Sequence, residues 1–194
     1  MIKAVIFDCF GVLTTDWWRE FCNSLPLGAG LAKAKELNHK YDAGLISLSD
    51  FILGVQQATG REPKLVEAIF TSPEPVKNTK LLAYIKELSK NYKIGMISNI
   101  GTNWVTEHFL TLPEQELFDT MVFSFDVGTT KPDPKIYQYA AQKLSASPAE
   151  CIFIDDVESY CQGAIAVGMH AVHYRDFDQT KKELKAILAA GADN

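Results

Sequence analysis

The apolar positions of this chain follow two different spacings. Short, nearly continuous runs rich in β-branched residues cover Ala4 to Phe7, Ile94 to Ile97, Met121 to Phe125, Cys151 to Ile154 and Ala171 to Tyr174. Continuous apolarity without strict alternation is the pattern of strands covered on both faces, as in a parallel sheet. Between the later runs the spacing becomes helical. Leu81, Leu82, Ile85 and Leu88 make one stripe, and Ile136, Tyr137, Ala140 and Leu144 another, with Pro134 suited to a helix start. A third stripe, Ala164 and Val167, ends at Gly168, a candidate C-cap. Strand and helix alternate from residue 76 onward, which predicts an α/β fold with a doubly wound, Rossmann-like parallel sheet.

The span from Asp16 to Pro75 reads differently, because it holds helical patterns and no convincing strand. Leu31, Ala34, Leu37 and Tyr41 form one stripe; Phe51, Val55 and Ala58 form another after Ser49, a candidate N-cap, and Gly60 is placed to end it. A further short helix is expected from Pro63 to Phe70, before Pro73-Glu74-Pro75 interrupts the pattern. A helical segment of about 60 residues directly after the first strand exceeds an ordinary connection. The expected organisation is a small α-helical cap domain at 16–75, inserted into a core made of 1–15 and 76–194.

Composition narrows the class. The chain has 194 residues, 47% hydrophobic and 22% charged, which suits a globular protein with one sizeable core. The net charge of −5, with arginine confined to Arg19, Arg61 and Arg175, disfavours a nucleic-acid partner. Cys9, Cys22, Cys151 and Cys161 form no CxxC pair and have no His at metal-site spacing, so neither zinc nor a redox dithiol is expected. The first apolar run stops at Asp8, too early for a signal peptide, and no apolar stretch reaches about 18 residues. These features predict a soluble, cytoplasmic protein without a membrane partner. Oligomeric state is not encoded in any of them.

Candidate chemistry falls at the ends of the strand-like runs, at Asp8, Ser98-Asn99, Lys131 and Asp155-Asp156. In a parallel sheet such ends converge on one side, where open α/β folds bind ligands. Each feature alone has an ordinary explanation: Asp8 and Ser98-Asn99 as turn residues, Lys131 as a solvated loop lysine, Asp155-Asp156 as a helix cap. Together they supply a carboxylate nucleophile, a hydroxyl donor, a fixed cation and a carboxylate pair. Adjacent carboxylates beside Asp8 repel one another, and a cation relieves that repulsion.

The segments Phe-Asp-Cys-Phe-Gly-Val-Leu-Thr, Met-Ile-Ser-Asn, Lys-Pro-Asp-Pro with Ile136-Tyr137 following, and Ile-Phe-Ile-Asp-Asp occur in that order. In this the chain resembles the haloacid dehalogenase superfamily of aspartate-nucleophile hydrolases, from residue 4 to about residue 174. The helical insertion is similar to the α-helical cap of the branch related to phosphoglycolate phosphatase and β-phosphoglucomutase. The resemblance implies a Mg²⁺-dependent phosphatase acting on a small phosphorylated metabolite through an aspartyl-phosphate. It assigns Asp8 as nucleophile, Ser98 and Asn99 as phosphate-binding residues, and Lys131 as the neutralising cation. Asp8, the backbone carbonyl of Phe10, Asp155 and Asp156 would hold Mg²⁺. Asp16, Trp17, Trp18 and Tyr41 are candidates for substrate specificity.

Phe10 departs from the family pattern, which places there a second Asp that protonates the leaving alcohol. General acid–base help is typically worth about 10² to 10⁴ in rate. Three readings stay open: a leaving group that needs no proton; substitution by Asp16, a Thr hydroxyl or a cap residue; or weak or absent catalysis, as in a phosphate-binding protein. The 2-haloacid dehalogenases also lack this Asp, but they lack the acidic pair as well and use a cap arginine.

Overall fold

The computed structural model describes residues 1–71 and 76–190. The expected break at Pro73-Glu74-Pro75 lies outside them. The apolar runs pair as parallel strands: Ala4–Phe7 (β1), Lys93–Ser98 (β2), Thr120–Phe123 (β3), Cys151–Asp155 (β4) and His170–His173 (β5). Their order is β3-β2-β1-β4-β5. Phe7 stands opposite Met96 on one side and Ile154 on the other, so Asp8, Ser98 and Asp155 emerge at the same edge of the sheet.

Both faces of the sheet are covered, which is why the strands read as continuous apolar runs. Val5 and Phe7 point into one core cluster with Leu81, Ile85 and Leu184; Ala4 and Ile6 point into the other with Ile136, Tyr137 and Ala140.

The helices come in two groups. Trp17–Asn23 (α1), Ala29–Asp42 (α2), Leu48–Thr59 (α3) and Pro63–Thr71 (α4) precede β2. They surround an apolar cluster of their own, with Leu25, Ala34, Tyr41, Phe51, Val55 and Val66. The remainder are Thr79–Leu88 (α5), Leu112–Gln115 (α6), Ser124–Val127 (α7), Pro134–Lys143 (α8), Glu158–Ala166 (α9) and Phe177–Ala190 (α10), with a π-helical turn at Val105–Phe109. No helix among the described residues is long and apolar enough to cross a membrane.

The structure corrects several sequence expectations. β3 stops at Phe123 instead of Phe125, because Ser124 turns the chain into α7. Its Oγ accepts from the Ile100 amide at 2.8 Å and donates to the Asp42 carbonyl at 2.5 Å. Side-chain bonds of this kind to the backbone compete with continuation of the strand. The N-cap of α3 is Ser47, whose Oγ accepts from the Asp50 amide at 3.1 Å; Ser49 lies inside the helix. Gly60 does end α3, with φ 68°. Gly168, with φ 92°, follows Val167, the C-cap of α9. Helix α1 had no apolar stripe to announce it; Asp16 caps it by accepting from the Arg19 amide at 2.9 Å.

Ile85 is fully buried at the centre of the α5 interface, whereas Ile165 on α9 is 49% exposed. Ile85→Ala is expected to cost about 2 to 5 kcal/mol in denaturant unfolding. Ile165→Ala should stay within about 0.5 kcal/mol.

Candidate active site

Three buried charges meet where β1 and β4 end. Lys131 Nζ lies 2.7 Å from Asp8 Oδ1 and 2.6 Å from Asp155 Oδ2. Each carboxylate has a second support: Asp8 Oδ1 accepts from the Cys9 amide at 2.7 Å, and Asp155 Oδ1 from the Val157 amide at 2.8 Å. The ammonium also lies 5.0 Å from the ring centre of Tyr160 and 5.5 Å from that of Phe153, so little water reaches it.

Burial sets the protonation of these groups. It pushes the Asp8 carboxyl well up, and the neighbouring Asp155 charge adds to the effect, while Lys131 opposes it. Burial likewise raises Asp155 against the pull of Lys131. For Lys131 burial acts to lower the pKa, but the Asp155 and Asp8 charges outweigh it and hold the ammonium above its ordinary range. Lys131 is therefore a permanent cation.

The loop after β2 fixes that lysine. Asn99 Oδ1 accepts from the Lys131 amide at 2.8 Å, and its Nδ2 donates to the Lys131 carbonyl at 3.2 Å. Asn99 lines the cavity described below, yet its amide is engaged in clamping the lysine backbone. Ser98 is fully buried, and its Oγ has no hydrogen-bond partner among the described residues.

Asp156 points to the same region. Oxygens of Asp8, Asp155 and Asp156 lie within 4.8 Å of one another, a donor set that fits a hard divalent cation. Arg19 of α1 binds Asp156 through both terminal nitrogens and also pairs with Asp16 at 3.0 Å. His173 Nε2 meets the Asp156 carbonyl at 3.0 Å. Gly11, with φ 86°, passes beneath this carboxylate, and a Cβ there would overlap it.

Above the strand ends is a cavity of about 670 Å³ between the sheet edge and the inserted helices. Asp8, Phe10, Asn99 and Lys131 line its floor; Asp16, Trp17, Trp18, Arg19 and Tyr41 line its other side. All the proposed specificity residues thus line it, although Tyr41 also stacks on Phe51 at 5.1 Å and Trp18 meets Phe51 edge-on at 5.4 Å. The Phe10 ring stacks on Trp104 at 5.6 Å, and Trp17 meets Trp104 edge-on at 5.7 Å.

Sequence reading missed several lining residues. Trp104 caps the π-helical turn and His108 lies within it, Tyr160 lies on α9, and Lys35, Asn38 and Asp42 lie on α2. His39 also lines the cavity and meets Thr130 Oγ1 at 2.8 Å through Nδ1. Spacing on α2 carried part of this signal: positions 35, 38, 39 and 42 share one helical face.

Comparison with known proteins fits this geometry. Residues 2–168 match the haloacid dehalogenase-like hydrolase family. An 82-residue stretch is 40% identical to mouse acyl-CoA dehydrogenase family member 10, covering 42% of this chain and 8% of that protein. D-ribitol-5-phosphate phosphatase of Bacteroides thetaiotaomicron is 26% identical over 97% of this chain and 99% of its own length. Among solved structures, a mutant HAD family enzyme of Bacteroides thetaiotaomicron in complex with magnesium and inorganic phosphate superposes with a TM-score of 0.65 at 23% identity, covering 90% of this chain and 95% of that one. The L-2-haloacid dehalogenase of Xanthobacter autotrophicus with chloropropionic acid covalently bound gives 0.66 at 19% identity, covering 96% and 83%. The two structures share the fold, and the family match spans four of the five strands, β1 to β4. The chain therefore belongs to the haloacid dehalogenase-like hydrolases.

Proposed function

We propose that this hydrolase is a Mg²⁺-dependent phosphatase that removes phosphate from a small metabolite through a phosphorylated Asp8. The observation that carries this reading is the buried Asp8, Lys131 and Asp155 array opening into the cavity. Asp8 attacks phosphorus in line with the leaving oxygen. Lys131 keeps Asp8 oriented and offsets charge on the phosphoryl group, a point-charge role suited to an ammonium. The buried hydroxyl of Ser98 donates to a phosphoryl oxygen. Asn99 acts by holding Lys131 in place and presents its edge to the phosphate.

Asp8, Asp155 and the Phe10 carbonyl are the groups that would hold Mg²⁺, with Asp156 joining them when it exchanges its Arg19 contact. When bound, the ion neutralises charge on the transferring group. The inserted helices 16–75 serve as the cap, and 1–15 with 76–194 as the core, in the arrangement of phosphoglycolate phosphatase and β-phosphoglucomutase. Trp17, Trp18, Asp16 and Tyr41 select the substrate from the cap side. Relatives named as phosphatases, including the D-ribitol-5-phosphate enzyme, support a phosphorylated substrate. Free, buried cysteines suit a reducing cytoplasm.

One observation favours a second reading, a 2-haloacid dehalogenase. Phe10, Trp17 and Trp104 give the cavity an apolar wall, and a halide leaves without a proton. The acidic donor set weighs against it, because it has no task in displacement at carbon.

A phosphomonoester screen separates these readings. Phosphate release should require Mg²⁺, disappear in EDTA and return on adding Mg²⁺, and Asp8→Asn should abolish it. Turnover unaffected by both treatments contradicts the proposal, and metal-independent chloride release from 2-chloropropionate supports the dehalogenase. Binding of metal and phosphate without turnover supports a non-catalytic protein.

Stability offers an independent check. Lys131→Met leaves two buried carboxylates uncompensated and should cost about 3 to 5 kcal/mol in urea unfolding with EDTA present. A loss under about 1 kcal/mol would show that the array is more hydrated than its burial indicates.

A further inference from the structure

The cavity holds a carboxyl group whose properties differ from those of its neighbours. The acidic side chains lining it are Asp8, Asp16, Asp42 and Glu107. Asp8 pairs with Lys131, Asp16 with Arg19, and Glu107 lies exposed beside His108. Asp42 is buried and has no ion-pair partner among the described residues. Its carboxylate partner is a neutral amide: Asn38 Nδ2 donates to Asp42 Oδ2 at 2.7 Å.

Placement supports a role in the chemistry. Lys35, Asn38, His39 and Asp42 all line the cavity, and their spacing puts them on one face of α2. That face is pinned at two points to the segment that follows β3. His39 Nδ1 meets Thr130 Oγ1, next to Lys131, at 2.8 Å, and the Asp42 carbonyl accepts from Ser124 Oγ at 2.5 Å.

The surroundings favour the neutral acid. Burial pushes the Asp42 carboxyl up to about 8; the Asn38 hydrogen bond and Lys131 act against this, and the Asp16 charge adds to it. The only ionisable groups on the adjoining α3 and α7, Asp50 and Asp126, are exposed, and Asn99 to Gly101 carry none. At neutral pH Asp42 is therefore mostly a carboxylic acid that can donate a proton.

Resting on the phosphatase reading above, we infer that Asp42 supplies the proton transfer that Phe10 cannot. As the Asp8 carboxylate forms its bond to phosphorus, the bond to the leaving oxygen breaks and that oxygen takes the Asp42 proton. The products of this half-reaction are a neutral alcohol, phospho-Asp8 and an ionised Asp42. Asp42 then takes a proton from the water that attacks phosphorus. The phosphorus bond to Asp8 breaks, phosphate leaves, and both carboxyl groups return to their starting forms.

The test compares kcat/KM for glycerol 2-phosphate and p-nitrophenyl phosphate, since kcat/KM reports the steps through alcohol release and only the first substrate needs a proton. Asp42→Asn should lower the glycerol 2-phosphate value about 10²-fold or more and the p-nitrophenyl phosphate value less than about tenfold. Wild-type kcat/KM for glycerol 2-phosphate should fall as pH rises through the Asp42 pKa, and Asp42→Asn should lack that limb. Asn38→Leu removes a bond that favours the ionised form, so it should move the limb to higher pH. Equal losses on both substrates, or an alkaline limb unchanged in both variants, overturn the role of Asp42 while leaving Asp8 as nucleophile. A wild-type protein inactive on both substrates with Mg²⁺ overturns the phosphatase reading and this inference with it.

Discussion

The site depends on holding one lysine between two carboxylates out of contact with water. Ionised together, Asp8, Lys131 and Asp155 sum to −1, and burial makes that excess costly unless a proton or another cation joins them. The raised pKa of Asp8 is one expression of this, and the nearby Asp156 oxygen within metal-ligand reach is another. Main-chain donors from Cys9 and Val157 and the two bonds of Asn99 keep the charges in register. The parallel sheet makes this possible, because it delivers chain segments far apart in sequence to a single edge.

The inserted helices complete the site. Arg19 crosses from α1 to Asp156, His39 reaches Thr130, and Ser124 Oγ donates to the Asp42 carbonyl. These polar contacts are few and directional, while the helices keep an apolar core of their own. The cavity between the two parts is walled by aromatic rings on one side and by a polar helical face on the other. Phe10 belongs to the aromatic side: stacked on Trp104, its side chain forms part of that wall.

Much of the fold was legible in the sequence because burial on both sheet faces leaves continuous apolar runs, and capped helices leave periodic stripes. Asp8, Ser98 and Asp155 could be named from their places at the ends of apolar runs; the structure brings Asp8 and Asp155 together on Lys131, which reaches them from the loop after α7. Other features left no such trace. Helix α1 has aromatic residues on several sides, so it shows no stripe. Ser124 ended its strand early through two bonds to distant backbone groups. Arg19 and Asp42 gained their surroundings from tertiary contacts: Arg19 binds a residue 137 positions away, and Asp42 lost solvent only when α2 packed onto the β2 and β3 ends. Asn99 reads as a phosphate ligand beside Ser98, and its pair of hydrogen bonds to the Lys131 backbone arises only from the folded loop.

The central claim is that Asp8 carries the phosphoryl group in turnover. Acid-quenching the Mg²⁺-loaded protein during turnover of a phosphomonoester, reducing with borohydride and sequencing the peptides by mass spectrometry tests this directly. The account predicts conversion of Asp8 to homoserine, dependent on substrate and absent without it. Turnover with Asp8 unmodified at every quench time, and the reduction product found at another carboxylate, would contradict it.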